Sequence, residues 1–288
     1  MIVNRLRQFA LIAVALGVYF ATLGATVPPH AADASAWDAD TRSAVRLIAG
    51  AARRDSMPGI VRAGLEFKLD AGWKTYWRYP GDSGVPPRFD FGGSDNVKTA
   101  TVLWPAPRRL RDESGNSIGY KGALVLPLAI VPQDLAKPVT LRVKLDYAVC
   151  EKLCVPATGN MELVLGGGPS VHEPALAAAE ARVPKITKVG FSGALAIRAV
   201  RREAGASRPR ILVDVAAPAG ETVDLFAEGP APDWALPLPE PVAGAPAGMH
   251  RFVFELDGLP PGGKAAEATL RLTATAGDKA IEATTHLD

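Results

Sequence analysis

The chain is poor in the residues that usually announce a metal site. It has two cysteines, four histidines and four methionines in 288 residues. They form no CxxC pair and no His- or Met-rich tract, so neither a four-ligand zinc site nor a copper-delivering segment is spelled out. Charge of one sign is lacking too: 32 Lys and Arg stand against 30 Asp and Glu, a net charge of +2. That balance offers no electrostatic footprint for nucleic acid. Gly166-Gly-Gly168 has no phosphate-binding context and reads as a linker. No small-molecule cofactor or metal is expected. After about Val27 there is no long apolar run, which argues against a multi-span membrane body. What abounds is glycine and proline, 28 and 25 residues, so long helices are disfavoured and many turns expected.

The N-terminus sets the compartment. Arg5 and Arg7 precede an uncharged, largely apolar run from Phe9 to about Val27, and Ala32-Asp33-Ala34 offers the small-x-small pattern of a signal peptidase site. Residues 1–34 are therefore expected to be an export signal, with an uncleaved N-terminal anchor as the alternative. Either way the remainder is expected in the periplasm. No cysteine stands near the cleavage site, which excludes a lipoprotein. Without residues 1–34 the net charge falls from +2 to +1, through loss of two arginines and one aspartate.

Two strand-rich blocks follow. In the first, strands are expected around Ser43–Ile48, Val61–Leu69, Lys74–Arg78, Val97–Leu103, Ala123–Val131, Val139–Val149 and Met161–Leu165. Turn residues separate them at Pro80-Gly-Asp-Ser-Gly84, Pro86-Pro87, Asp112-Glu-Ser-Gly-Asn116 and Pro132-Gln-Asp134. Such spacing points to an antiparallel β-sandwich over residues 35–168. Residues 169–185 read as a connector with a short Ala-rich helix at Pro174–Arg182. Residues 186–288 repeat the strand-and-turn rhythm and form a second, smaller sandwich with no chemistry of its own. The fold class is thus all-β, two immunoglobulin-like β-sandwich domains joined by a short helical linker. Each sandwich is expected to have its own core, so that residues 36–168 fold alone.

The two cysteines sit four apart in Tyr147-Ala-Val-Cys-Glu-Lys-Leu-Cys-Val-Pro156, after a stretch that alternates apolar and polar from Val139 to Tyr147. In an oxidising compartment such a pair closes into a disulfide. Extended residues four apart lie roughly 13 Å from one another, whereas a disulfide needs Cα atoms about 4.4–6.8 Å apart. The chain must turn at Glu151–Leu153, and the pair sits at the end of a packed strand. A bridge closing so short a loop is worth only about 2 kcal/mol, which favours redox chemistry over stapling. An inert structural bridge and metal ligation remain open alternatives. Lys152 acts to lower a neighbouring thiol pKa while Glu151 and Asp146 oppose it, so no strongly acidic thiol is expected. Pro156 lacks a backbone donor, which makes a central strand unsuitable there.

Several motifs in the first block carry a resemblance: Gly72-Trp-Lys-Thr-Tyr-Trp-Arg78, Pro80-Gly-Asp-Ser-Gly-Val-Pro-Pro87, Trp104-Pro-Ala-Pro107, Gly119-Tyr-Lys-Gly122 and the cysteine segment. Together, over about residues 42–165, they resemble the N-terminal periplasmic domain of DsbD-type thiol:disulfide interchange proteins. The likeness is greater to the ScsB branch, linked to suppression of copper sensitivity. The resemblance implies an immunoglobulin-like fold whose Cys150 and Cys154 relay electrons from a membrane or thioredoxin-like donor to periplasmic thioredoxin-like acceptors. It also implies that Cys154 forms the intermolecular bond and Cys150 resolves it. The full-length proteins continue into membrane and thioredoxin-like domains, which these 288 residues do not contain. The C-x3-C spacing is tighter than in the enterobacterial domain. The apparent counterpart of that domain's shielding loop, Asp112-Glu-Ser-Gly-Asn-Ser117, carries no aromatic residue. Tyr76, Trp77 and Tyr120 are the candidates for shielding the disulfide from another strand, and Asp112 and Glu113 are candidates for docking a partner. Trp73, Tyr76, Trp77 and Trp104 suit ordinary core packing equally well. The competing class is a non-catalytic periplasmic binding or scaffold protein that keeps the bridge for structure.

Overall fold

A computed structural model describes residues 32–52, 59–81, 84–112, 115–203, 209–231, 234–258 and 268–287. Glu113 lies outside the described residues, as does the expected signal segment up to residue 31.

The first sandwich is built from eleven strands: β1 (Asp38–Asp40), β2 (Ser43–Ala49), β3 (Val61–Leu69), β4 (Lys74–Gly81), β5 (Arg88–Asp90), β6 (Val97–Val102), β7 (Arg108–Asp112), β8 (Gly115–Lys121), β9 (Leu124–Pro132), β10 (Val139–Cys150) and β11 (Cys154–Leu165). One sheet runs β1-β2-β3-β9-β6; the other runs β11-β10-β4-β8-β7, with β5 on β10. Period-two patterning makes the core. Val139, Leu141, Val143, Leu145, Tyr147 and Val149 of β10 are all buried, as are Leu163 and Leu165 of β11. Each such side chain contributes on the order of 1.5–3 kcal/mol. The seven strands expected from the sequence are present. Added to them are the short β1 and β5 and the polar β7–β8 hairpin, while β11 begins at Cys154, seven residues before the expected strand. Pro156 is accommodated because β11 is the edge of its sheet.

Helix α1 (Glu173–Ala181) then leads to the second sandwich, formed by β12 (Lys185–Thr187), β13 (Ala196–Glu203), β14 (Arg210–Ala216), β15 (Val223–Glu228), β16 (Glu240–Val242), β17 (Met249–Glu255), β18 (Thr269–Ala276) and β19 (Lys279–His286). Its sheets run β12-β19-β18-β15 and β13-β14-β17-β16.

Three features bear on the expected modular layout. First, α1 is docked rather than merely connecting. Fully buried Leu176 fills a groove over Gly50 and Gly64, where an added Cβ would come within 2.6 and 3.1 Å of its methyl carbons. Arg62, 8% exposed, pairs with Glu173 at 2.9 Å and Glu180 at 2.6 Å. Second, the two sandwiches share one continuous apolar core. Trp77 meets Phe226 edge-on at 5.9 Å, Tyr79 donates to Leu236 O at 2.9 Å, and Arg78 pairs with Glu228 and Glu282 at 2.7 and 2.5 Å. Third, Asp33 and Ser35, on either side of the expected cleavage point, both bond to β2. Asp33 O accepts from Ala49 N at 2.7 Å, and its carboxylate accepts from Val171 N at 2.8 Å. That hydrogen bond holds the Asp33 carboxyl below its ordinary pKa.

Candidate redox site

The cysteine hairpin closes as the geometry requires. Cys150 ends β10, Cys154 starts β11, and the two are paired in register with their Cα atoms 4.2 Å apart and a disulfide between them. Glu151, Lys152 and Leu153 form the exposed turn. The two sulfurs differ in access: Cys150 is fully buried, whereas Cys154 is exposed and follows Leu153, itself 74% exposed.

Strand β4 makes the floor of the site. Lys74 lies opposite Cys150, and side chains two residues apart share a face, so Lys74 and Tyr76 both stand on the cysteine side of the sheet. Tyr76 packs on Cys150 and Ala148, and its hydroxyl lies 3.1 Å from Cys154 Sγ. A disulfide sulfur has no hydrogen, so the hydroxyl donates. Gly84 lies close against the tyrosine ring, because a Cβ there would meet Tyr76 Cδ1 at 2.7 Å. Lys74 is buried; its ammonium donates to Ser117 Oγ at 3.0 Å and lies 5.9 Å from the Tyr76 ring centroid. Gly72, with φ of +87°, leaves room for Glu151 of the cysteine turn, whose Oε1 would be 2.8 Å from a Cβ there.

The remaining candidates are not gathered here. Trp77 points to the opposite face, into the contact with the second sandwich. Tyr120, opposite Thr75 on β8, also faces inward; its hydroxyl donates to Pro105 O at 2.8 Å, and burial raises its pKa well above the usual phenol. Asp112 ends β7 opposite Gly115, with β4 and β8 between β7 and β10. Lys74 and Gly84 stand in the sequence only as members of longer motifs, with no role assigned to either.

What results is an all-β protein that mounts a hairpin disulfide on an immunoglobulin-like sandwich, one sulfur sealed and one open. Residues 47–166 match the family model for the N-terminal domain of the thiol:disulfide interchange protein DsbD. Among solved structures, the N-terminal periplasmic domain of ScsB from Proteus mirabilis superposes with a TM-score of 0.68 at 20% identity, covering 88% of this chain and 98% of that one. The shared fold therefore extends past the family segment into the second sandwich. No curated protein matches the chain. Among the described residues no helix is long and apolar enough to cross a membrane.

Proposed function

We propose that this protein is a periplasmic thiol–disulfide exchange module whose Cys150–Cys154 pair relays electrons between a membrane-bound or thioredoxin-like donor and thioredoxin-like acceptors. The observation that carries the reading is the unequal exposure of the two sulfurs. A donor thiolate reaches Cys154 Sγ, the Cys150–Cys154 bond breaks, and Cys150 leaves as the thiolate. The donor's second thiolate then attacks its own sulfur in the mixed disulfide. The donor departs oxidised, and the module holds two more electrons as a dithiol. In the second half, the Cys154 thiolate attacks an acceptor disulfide. Cys150 attacks Cys154 Sγ to close the bridge and release the reduced acceptor. Tyr76 supplies the hydrogen bond available to sulfur when Cys154 is a thiolate.

Equilibration in graded glutathione and dithiothreitol buffers tests this. A relay titrates reversibly between about −270 and −180 mV, while a purely structural bridge resists reduction to below about −300 mV. The second outcome would leave the scaffold reading in its place.

A further inference from the structure

The cysteine hairpin lies at a sheet edge, and that edge is closed almost everywhere near it. Beyond β11 the amides of Thr158 and Asn160 donate to the carboxylates of Asp40 and Asp38, at 3.1 and 2.7 Å. Pro156 has no amide hydrogen. Strand β1, which supplies the two carboxylates, turns into β2 at Thr41–Arg42 and does not continue alongside Pro156 and Cys154.

Main-chain groups alternate between the two edges of a strand, so Cys154 shares the outward orientation of Thr158 and Asn160. Two observations support this parity. Thr140 exchanges amide bonds with Asp95 at 2.9 and 3.2 Å, and Ala148 O accepts from Thr75 Oγ1 at 3.0 Å; both therefore face away from β11. The 4.2 Å Cα separation of Cys150 and Cys154 is also that of a pair without mutual amide bonds, which lies near 4.5 Å, rather than a bonded one near 5.5 Å. Among the described residues, nothing accepts from the Cys154 amide or donates to its carbonyl. The first open donor–acceptor pair on this edge thus belongs to the residue with the exposed sulfur.

We propose that the exchange partner is held at Cys154 by main chain as well as by sulfur: an extended segment beside its reactive thiol adds to the edge of β11 there. A residue opposite Cys154 in such a pairing has its Cα about 5.5 Å away and its side chain on the same face. Both meet the requirement of a mixed disulfide, whose Cα atoms lie about 4.4–6.8 Å apart. Pro156 and the two aspartates stop the added strand from running further, so the docking is short and register is fixed at the sulfur. This inference rests on the exchange reading and specifies how the partner is chosen.

The test uses the Cys150→Ser variant, which leaves Cys154 as the only thiol. It reacts with short cysteine peptides activated as thionitrobenzoate disulfides. The Cys154 thiolate attacks the peptide sulfur, and thionitrobenzoate leaves as the coloured thiolate. Each peptide carries one backbone N-methyl group, moved along the series. The expected result is a slowing of about 3- to 10-fold at the position whose amide faces β11, the factor supplied by one net hydrogen bond. Methylation at the adjacent positions should change little. Equal rates along the whole series would overturn the edge proposal while leaving exchange intact. No release from any peptide would instead overturn the exchange reading. Should the variant fail to fold, the same series run on the reduced native protein gives the same comparison.

Discussion

The hydroxyl of Tyr76 and Sγ of Cys154 lie 3.1 Å apart, although 78 residues separate them in the chain. The contact exists because β4 enters the sheet beside β10 with Lys74 opposite Cys150, which sets Tyr76 two residues further along the same face. A donor held there favours the thiolate of Cys154 over the thiol.

Tyr76→Phe removes that donor and keeps the buried ring. A hydrogen bond to the thiolate stabilises the charged form, so alkylation of Cys154 should shift to higher pH without it. Exchange near neutral pH should slow several-fold. The measurement is the pH profile of alkylation of the Cys150→Ser variant with and without Tyr76→Phe. An unchanged profile would deny Tyr76 any part in tuning the sulfur.

Cys150→Ser should capture exchange partners as persistent mixed disulfides, because no second thiolate remains to release them. Cys154→Ser should capture far less, since the sulfur it leaves is fully buried. The check is a non-reducing gel of periplasmic extract, with adducts that vanish on adding dithiothreitol and are identified by mass spectrometry. Adducts confined to Cys154→Ser would reverse the two roles.

Leu176→Ala should lower stability by about 2–5 kcal/mol, the range for truncating a fully buried leucine. A fragment of residues 36–168 lacks α1 and leaves Arg62 buried without Glu173 and Glu180, the costly way to break a buried ion pair. It should therefore unfold without a cooperative transition, whereas the full chain unfolds with one. Thermal and urea denaturation followed by circular dichroism decide the matter. A cooperative fragment would show that the helix and second sandwich are dispensable.

Acid should loosen the second sandwich through Asp214. Its carboxylate is hydrogen-bonded to Arg251 at 2.6 Å and paired with Arg201, and these partners lower its pKa. A depressed folded-state pKa contributes stability above the unfolded value near 3.8, and that contribution is lost as pH falls through the folded value. Asp214→Asn should be less stable at neutral pH by about 2 kcal/mol. It should also show a flatter dependence of Tm on pH below about 4. Parallel slopes for variant and parent would remove Asp214 from the acid response.

The strands and the hairpin were legible because their signals are local. Val139–Tyr147 alternates without a break, and the turn between the cysteines follows from the reach of a disulfide. Short β1 and β5 have too few residues to alternate. The β7–β8 hairpin is largely polar, so its alternation is weak. Which aromatic residue meets the sulfur was not legible at all. Tyr76 and Trp77 are neighbours with opposite fates, and the choice depends on the register of β4 against β10, set by residues more than 70 positions away. The same long-range packing hid the docking of α1, since Gly50 and Gly64 look like turn residues until Leu176 is laid across them. At Asp33 the small-x-small pattern was legible, whereas the carboxylate's bond to Val171, 138 residues away, was not.

The sealed state of Cys150 also has a kinetic consequence. In the relay proposed above, one addressable sulfur means that donor and acceptor must occupy the same berth and can never be bound together. Turnover then follows a substituted, ping-pong order in which each partner, in excess, obstructs the other. Flux through such a carrier peaks at matched supply and demand, and more acceptor alone does not make it run faster.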